Sequence, residues 1–200
     1  TQRQNDCKMR VLDLFSGIGG FSLGLERAGM ETVAFCEIDV KARKVLQKHW
    51  PNVPIFEDVT TLTAEALHER GISVDVICGG FPCQDISAAG AVWGKTDGLN
   101  GDRSGLWSEY KRIIGEIKPR YVFAENSPLL SKKGLCVVPQ DLAEMGYDAV
   151  WGIMGAGDLG YAHKRERCWI YANDTQNSNS GKGKPDGMWS NPGIGKRIRP

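Results

Sequence analysis

The chain has 200 residues, of which 41% are hydrophobic, and this is enough for one globular domain with a substantial core. Its 25 basic and 24 acidic residues give a formal net charge of +1, so composition neither requires nor excludes a nucleic-acid partner. No apolar run is long enough to span a bilayer, which predicts a soluble protein without a membrane partner.

Six cysteines could in principle form three disulfides, but their positions favour reduced thiols. Cys36, Cys78 and Cys168 lie in apolar runs typical of core strands, no CxxC pair occurs, and the amino terminus lacks an apolar signal segment. We therefore expect an intracellular protein. The three histidines are scattered and share no ligand spacing with the cysteines, which argues against a metal site.

The first regular segment combines a strand, a glycine turn and a helix. Residues 1–9 are polar and predict a loose arm, residues 11–15 a strand, and residues 21–28 a helix. Between strand and helix, Gly17, Gly19 and Gly20 would let backbone N–H groups approach a nucleotide or an amino-acid carboxylate. Alone the pattern is weak, because glycine turns also serve plain strand-to-helix connections.

Two acidic residues follow the next two predicted strands. Glu37 ends the strand at 32–36 and lies 20 positions after Gly17, the spacing at which an acidic residue often binds a ribose hydroxyl pair. Asp58 follows a short strand at 54–56 and could accept a hydrogen bond from an adenine amino group. As a single residue, Asp58 is more typical of a turn or a helix cap than of a ligand contact.

A strand at 74–78 leads into Gly79-Gly80-Phe81-Pro82-Cys83-Gln84. Cys83 should lie just beyond the carboxyl end of this strand, where open α/β sheets bind ligands. Pro82 and the preceding glycines indicate a constrained turn, so Cys83 is a candidate nucleophile. The alternatives are a small loop residue and a redox thiol, and the latter is disfavoured because no resolving cysteine lies nearby in sequence.

Residues 85–105 contain five glycines together with Lys95 and Arg103. A long loop that begins at a candidate nucleophile and carries cations favours a mobile lid, although a surface excursion is the plainer alternative. Residues 106–117 then predict an amphipathic helix, whose apolar face comprises Leu106, Tyr110, Ile113, Ile114 and Ile117.

The last predicted strands cover residues 121–124, 148–154 and 168–172, with a helix at 135–145. The first of these strands delivers Glu125 to the same edge as Cys83, and Arg165 and Arg167 would point the same way if their segment is extended. Beyond residue 172 the chain is rich in Asn, Ser, Gly, Pro and Lys, which predicts disorder or a need for a partner. The alternation of strands and helices indicates a doubly wound, mainly parallel α/β sheet.

At this point several motifs together resemble the successive motifs of the DNA (cytosine-5) methyltransferases over residues 11–172. They are DLFSGIGG, FCEID, GGFPCQDIS, GLNGDRSGLW, FAENS and HKRERCWI. The resemblance implies the Rossmann-like fold of S-adenosylmethionine-dependent methyltransferases, a cytoplasmic or nucleoid-associated location, and double-stranded DNA as partner.

The resemblance also implies the site residues. Those around the cofactor's amino-acid portion are Asp13, Phe15, Ser16, Gly17, Gly19 and Gly20. Glu37 would bind the ribose, Ile38, Asp58 and Val59 the adenine, and Pro82 and Leu106 would line the pocket wall. The implied catalytic residues are Cys83, Glu125, Arg165 and Arg167, and the implied substrate contacts are Gln84, Ser87 and Asn126. S-adenosylhomocysteine would be the product.

The chemistry has a physical basis. Carbon 5 of cytosine is a poor nucleophile, and addition of a Cys83 thiolate to carbon 6 would move electron density onto carbon 5 for attack on the methyl group. Glu125 would hold or protonate ring nitrogen 3, and Arg165 and Arg167 would support the base and the acid electrostatically. Because a stacked base is out of reach, the cytosine must flip out of the duplex.

The sequence departs from the family pattern at His163, usually glutamine, and at Ser127, usually valine. No target-recognition region is recognisable before Pro200, so we expect an arm at 1–9, a cofactor-binding and catalytic domain at 10–172, and a polar tail or the start of a recognition region at 173–200. A further carboxyl-terminal region or second chain would then complete the enzyme. The alternatives are a tRNA cytosine-5 methyltransferase and an inactive fragment that only binds cofactor or DNA.

Overall fold

A computed structural model describes residues 8–82, 105–128, 130, 137–176 and 196–198, the last three by backbone alone. The predicted residues Cys83, Gln84 and Ser87 and nearly all of the predicted lid lie outside these ranges. The chain divides into two compact units, one ending at Gly79 and one beginning at Gly80. Within the described ranges, no helix is long and apolar enough to cross a membrane.

The first unit is built on parallel strands, as the sequence predicts. Its strands are β1 (Arg10–Leu14), β2 (Glu31–Cys36), β3 (Ile55–Phe56) and β4 (Val76–Gly80, whose last residue opens the second unit). Its helices are α1 (Gly20–Arg27), α2 (Val40–His49) and α3 (Ala64–Glu69). The strands lie in the order β3-β2-β1-β4, and β1 pairs in parallel with both β2 and β4. Their carboxyl ends therefore lie along one edge.

Side-chain caps fix where α2 and α3 begin. Asp39 caps α2 by accepting a hydrogen bond of 2.8 Å from the Ala42 N–H, and Thr63 caps α3 by accepting one of 3.1 Å from the Ala66 N–H. The apolar core residues of β1 and β2 have at most 2% of their surface exposed, as expected for parallel strands covered on both faces.

The second unit contains antiparallel strands. Its elements are α4 (Leu106–Ile117), β5 (Tyr121–Asn126), α5 (Val137–Glu144), β6 (Tyr147–Met154), a 3-10 helix (Ala156–Leu159), β7 (Arg167–Asp174) and β8 (Lys196–Ile198). β7 pairs antiparallel with β5 and β6, and β8 pairs antiparallel with β6. The parallel arrangement of the first unit therefore does not extend to β6, β7 and β8. Parallel neighbours need a long crossover, whereas the link from β6 to β7 contains only one 3-10 turn.

Several element boundaries differ from the sequence-based prediction. β5 extends through Glu125 and Asn126, and part of the tail predicted to be irregular forms β8 along β6. The buried face of α4 includes Trp107, whereas Leu106 is only half-buried. Trp107 can be buried because its indole N–H donates a 2.7 Å hydrogen bond to the carboxylate of Asp141. The predicted domain boundary at residue 172 stays a prediction.

A substitution at Gly79 tests the close approach of β4 to β1. A Cβ at this position would collide with the backbone carbonyl of its ladder partner Leu14, which cannot move without disturbing the sheet. We expect Gly79→Ala to lower the free energy of unfolding by about 2 kcal/mol or more. The matched control is Gly115→Ala in α4, where no described atom lies within 4 Å of a Cβ.

The control should raise the free energy of unfolding by about 0.5 to 1 kcal/mol, because alanine favours helix over glycine. Urea denaturation of both variants measures the difference. Equal stabilities of the two variants would contradict the close approach of β4 to β1.

Candidate active site

The glycine turn after β1 is tightly shaped and open on one side. Phe15, Gly17 and Gly19 have positive φ values of 53°, 53° and 88°, and a Cβ at Gly19 would lie 2.6 Å from the ring of Trp50. No described atom lies within 4 Å of a Cβ placed at Gly17 or Gly20. The turn therefore packs against Trp50 and leaves room elsewhere for a ligand to approach its backbone.

Glu37 ties this turn to the end of β2. Its Oε2 accepts a hydrogen bond of 2.6 Å from the Gly17 N–H, and its Oε1 accepts one of 2.8 Å from the Asp39 N–H. The backbone N–H of Ser16 donates to the carbonyl of Cys36 at 3.2 Å, and the Ser16 hydroxyl accepts a hydrogen bond of 3.3 Å from the Cys36 N–H. Because an ionised carboxylate offers about four acceptor positions, Glu37 keeps capacity for a hydroxyl-bearing ligand.

Asp58 is an ordered, ionised turn residue. Its Oδ1 accepts hydrogen bonds from the backbone N–H and the hydroxyl of Thr60, at 2.9 and 2.8 Å, and these bonds lower the pKa of Asp58. Burial, with a further contribution from Asp58 and Glu37, raises the pKa of the Cys36 thiol to about 12. The carboxylates of Asp58 and Glu37 therefore give the sheet edge at the carboxyl end of β2 a negative charge.

Asp13 is fully buried, although the resemblance implies contact with a cofactor. Its Oδ2 accepts hydrogen bonds from the hydroxyl and the backbone N–H of Ser22, at 2.8 and 3.3 Å. Burial raises the pKa of Asp13 to about 7, against the lowering effect of these bonds. Sequence reasoning missed Ser22, because a serine within an amphipathic helix carries no signal of such a contact.

Glu125 and Arg167 form an ion pair within the second unit. Arg167 Nε lies 2.8 Å from Glu125 Oε1, and both side chains are about two-thirds to three-quarters covered, with 33% and 22% of their surface exposed. A Cβ at Gly80 would lie 2.6 Å from Glu125 Oε2, so the carboxylate occupies space that only glycine leaves empty. The pKa of Glu125 is raised because burial outweighs the opposing charges of Arg167 and Arg165.

Arg165 lies in a left-handed backbone conformation, with φ of 37°, so its segment is not extended there. The side chain is exposed, and its charge still acts on Glu125. Gly155 allows the close approach of this segment, since a Cβ there would collide with the carbonyl of Lys164. The steric role of Gly155 was missed because it depends on a neighbour nine positions away.

Asn126 fixes the backbone that leads to Cys83. Its side chain is almost fully buried, and its Nδ2 donates a hydrogen bond of 3.1 Å to the carbonyl of Phe81. The Phe81 ring packs against Trp107 and Tyr110, with centroid distances of 5.3 and 6.2 Å. The residue two positions before Cys83 is therefore held by both its carbonyl and its side chain.

The other predicted site residues vary in exposure. Val59 is buried, Ile38 is 74% exposed, and Pro82 and Leu106 are half-buried. The positions of Cys83, Gln84 and Ser87 lie outside the described residues. Among the described residues, no group of three or more His, Cys, Asp or Glu side chains could hold a metal ion.

Three cysteines are described, and all are unsuited to act as nucleophiles. Cys36, Cys78 and Cys168 are buried free thiols. Burial is the main cause that raises the pKa of each, to about 12 for Cys36 and about 11 for Cys168. Because the thiolate is the reactive form, these three residues are structural.

Comparison with known proteins gives consistent matches. The profile of the family described as C-5 cytosine-specific DNA methylase matches residues 9–198. The type II methyltransferase M.CviJI of Paramecium bursaria Chlorella virus IL3A is 39% identical over 165 residues, and M2.BsuMI of Bacillus subtilis is 35% identical over 172. Each alignment covers 82% of this chain and 42% of the relative. The chain thus spans about two-fifths of the length of these relatives.

A solved structure shows the same fold. A prophage-encoded protein of E. coli, described as a DNA modification methyltransferase, superposes with a TM-score of 0.69 at 29% sequence identity. The match covers 84% of this chain and 47% of the other. The α/β fold class predicted from the sequence is confirmed.

The contact between Gly80 and Glu125 can be tested separately from stability. In Gly80→Ala the conflicting atom is the end of a flexible side chain, so we expect the Glu125 carboxylate to move aside and lose its bond to Arg167. The free energy of unfolding should fall by about 1 kcal/mol or less, as for other partly exposed ion pairs. The Nε–H resonance of Arg167 in NMR spectra measures the bond. An unchanged resonance would contradict the contact.

Proposed function

Since the chain belongs to the C-5 cytosine-specific DNA methylase family, we propose that it transfers a methyl group from S-adenosylmethionine to carbon 5 of cytosine in double-stranded DNA. The observation that carries the proposal is the half-buried Glu125, paired with Arg167 at 2.8 Å, in the unit where Asn126 anchors the approach to Cys83. A shielded carboxyl beside a cation suits the stabilisation of a cytosine ring to which a thiolate adds.

The first unit fits the proposed cofactor. S-adenosylmethionine supplies a methyl group on a positively charged sulfur. The glycine turn has open space at Gly17 and Gly20, and Glu37 and Asp58 give the adjoining edge a negative charge. Glu37 would accept hydrogen bonds from ribose hydroxyls with the acceptor positions that the two backbone N–H groups leave. Ile38, Val59 and Asp58 would then border the adenine, and Phe15 and Ser16 the amino-acid end.

The second unit would carry out the addition. The Cys83 thiolate would form a bond to carbon 6 of a flipped cytosine, and the ring electrons would move to carbon 5. Carbon 5 would then bond to the methyl group as the bond from methyl to the sulfonium sulfur breaks, and that electron pair would stay on the sulfur. Loss of the carbon 5 proton to water would restore the ring double bond and break the bond between carbon 6 and the Cys83 sulfur. The product S-adenosylhomocysteine and free Cys83 result, so the thiol is regenerated.

Glu125 is suited to hold nitrogen 3 of the cytosine. Its raised pKa makes the carboxyl easier to protonate than an exposed glutamate, and a protonated carboxyl can donate to that nitrogen. Arg167 would orient the carboxyl, and Arg165 would add positive charge beside the base. Gln84 and Ser87 are proposed to contact the substrate, while Asn126 would act through the Phe81 carbonyl that it binds.

A target-recognition region, in a further carboxyl-terminal segment or a second chain, stays a prediction. The chain carries no strong net charge, so a local positive surface must hold the DNA backbone.

Covalent capture tests the role of Cys83. Double-stranded DNA with 5-fluorocytosine should form a stable adduct in the presence of S-adenosylmethionine, because fluorine at carbon 5 cannot leave as a proton does. Intact-mass spectrometry measures the adduct. Cys83→Ser should abolish it, and the buried control Cys168→Ser should retain it. An adduct that survives Cys83→Ser would overturn the assignment.

A further inference from the structure

The carboxyl of Asp13 is wholly enclosed in the first unit. Asp13 and Ser22 have no exposed surface, and Ser22 directs both its hydroxyl and its backbone N–H at Asp13 Oδ2. Ser22 is the third residue of α1, where a backbone N–H has no partner within the helix. Asp13 therefore accepts hydrogen bonds from the amino end of α1 while its own backbone lies within β1.

The two residues bracket the glycine turn. Residues 14–21 separate them, and this segment contains every glycine of the turn. The Ser16 hydroxyl adds a hydrogen bond of 2.6 Å to the Asp13 carbonyl. The side-chain bonds from Asp13 to Ser22 thus close a loop across the turn and hold the start of α1 against the end of β1.

Such burial is costly, because an enclosed carboxyl loses its hydration. Asp13 Oδ1 has no hydrogen bond of good geometry from any described residue, although the Cys78 thiol of β4 lies beside the carboxyl. An apolar residue would avoid this cost. The hydrogen bonds from Ser22, and not core packing, therefore account for a carboxyl at this position.

We propose that Asp13 and Ser22 form a latch across the glycine turn and act as positioning residues for the cofactor, and that Asp13 does not itself contact the cofactor. The latch sets the direction of the turn's backbone N–H groups. The effect of the latch on cofactor affinity rests on the proposed function, whereas its effect on the backbone of the glycine turn does not.

The latch should respond to pH. The ionised carboxylate is a stronger acceptor for Ser22 than the neutral acid, and a positively charged cofactor nearby also favours the ionised form. The groups that face the carboxyl are Ser22 of α1, Cys78 of β4 and Glu37 beyond β2. Burial brings the pKa of Asp13 to about 7, so cofactor affinity should rise as pH increases through 7.

Hydrogen exchange of the cofactor-free protein tests the latch directly. In Ser22→Ala, backbone amides of residues 16–21 should exchange about tenfold faster than in the parent protein, which corresponds to the loss of one hydrogen bond to a charged group. The matched control is Thr32→Val, which removes a buried hydroxyl that has no partner among the described residues. Equal exchange of the turn in Ser22→Ala and Thr32→Val would overturn the latch.

Calorimetric titration with S-adenosylmethionine between pH 6 and pH 8 tests the effect on the cofactor. The affinity of the parent protein should rise about fivefold, because a hydrogen bond to a charged acceptor is stronger than one to a neutral acceptor by about this factor. The rise should be absent in Asp13→Asn, whose amide does not ionise. A rise of the same size in Asp13→Asn would overturn the positioning role. A parent protein that binds no cofactor at any pH would overturn the proposed function, and the exchange experiment would still decide the latch.

Discussion

Two consecutive glycines at the end of β4 are the constraint on which both candidate sites depend. At Gly79 the chain approaches the carbonyl of Leu14 more closely than any side chain would allow, and this sets the spacing of the strand edge that carries the glycine turn. At Gly80 the missing side chain leaves the space that the Glu125 carboxylate fills. Since Phe81, Pro82 and Cys83 follow directly, the same short segment also leads to the proposed nucleophile.

Three carboxyl groups show how environment assigns different tasks to similar residues. Asp58 accepts two hydrogen bonds from Thr60, which keeps it ionised and suited to accept a hydrogen bond from a ligand. Asp13 is enclosed, with a pKa of about 7, and acts on the backbone around it. Glu125 is half-buried beside Arg167, with a raised pKa, and is proposed to act on the cytosine ring. Burial and hydrogen bonding, more than residue type, separate these roles.

The sequence predicts what depends on local pattern. The glycine turn and the acidic residue after β2 were predicted because strand, turn and acidic residue follow each other at a recognisable spacing. The hydrogen bond from the Gly17 N–H to Glu37 was not predicted, and the ribose contact of Glu37 stays a prediction. The antiparallel direction of β7 was not predicted, because an apolar run does not show whether a strand pairs in parallel or antiparallel. The roles of Ser22, Gly80 and Gly155 were also hidden, since each depends on a contact that only the folded chain creates.

The most direct measurement is transfer of an isotopically labelled methyl group from S-adenosylmethionine to duplex DNA and, in a parallel reaction, to tRNA. Digestion to nucleosides and mass spectrometry identify the labelled product. Methyl transfer to carbon 5 of DNA cytosine predicts labelled 5-methyldeoxycytidine from the duplex. Label confined to the tRNA, or a labelled DNA nucleoside other than 5-methyldeoxycytidine, would contradict this function.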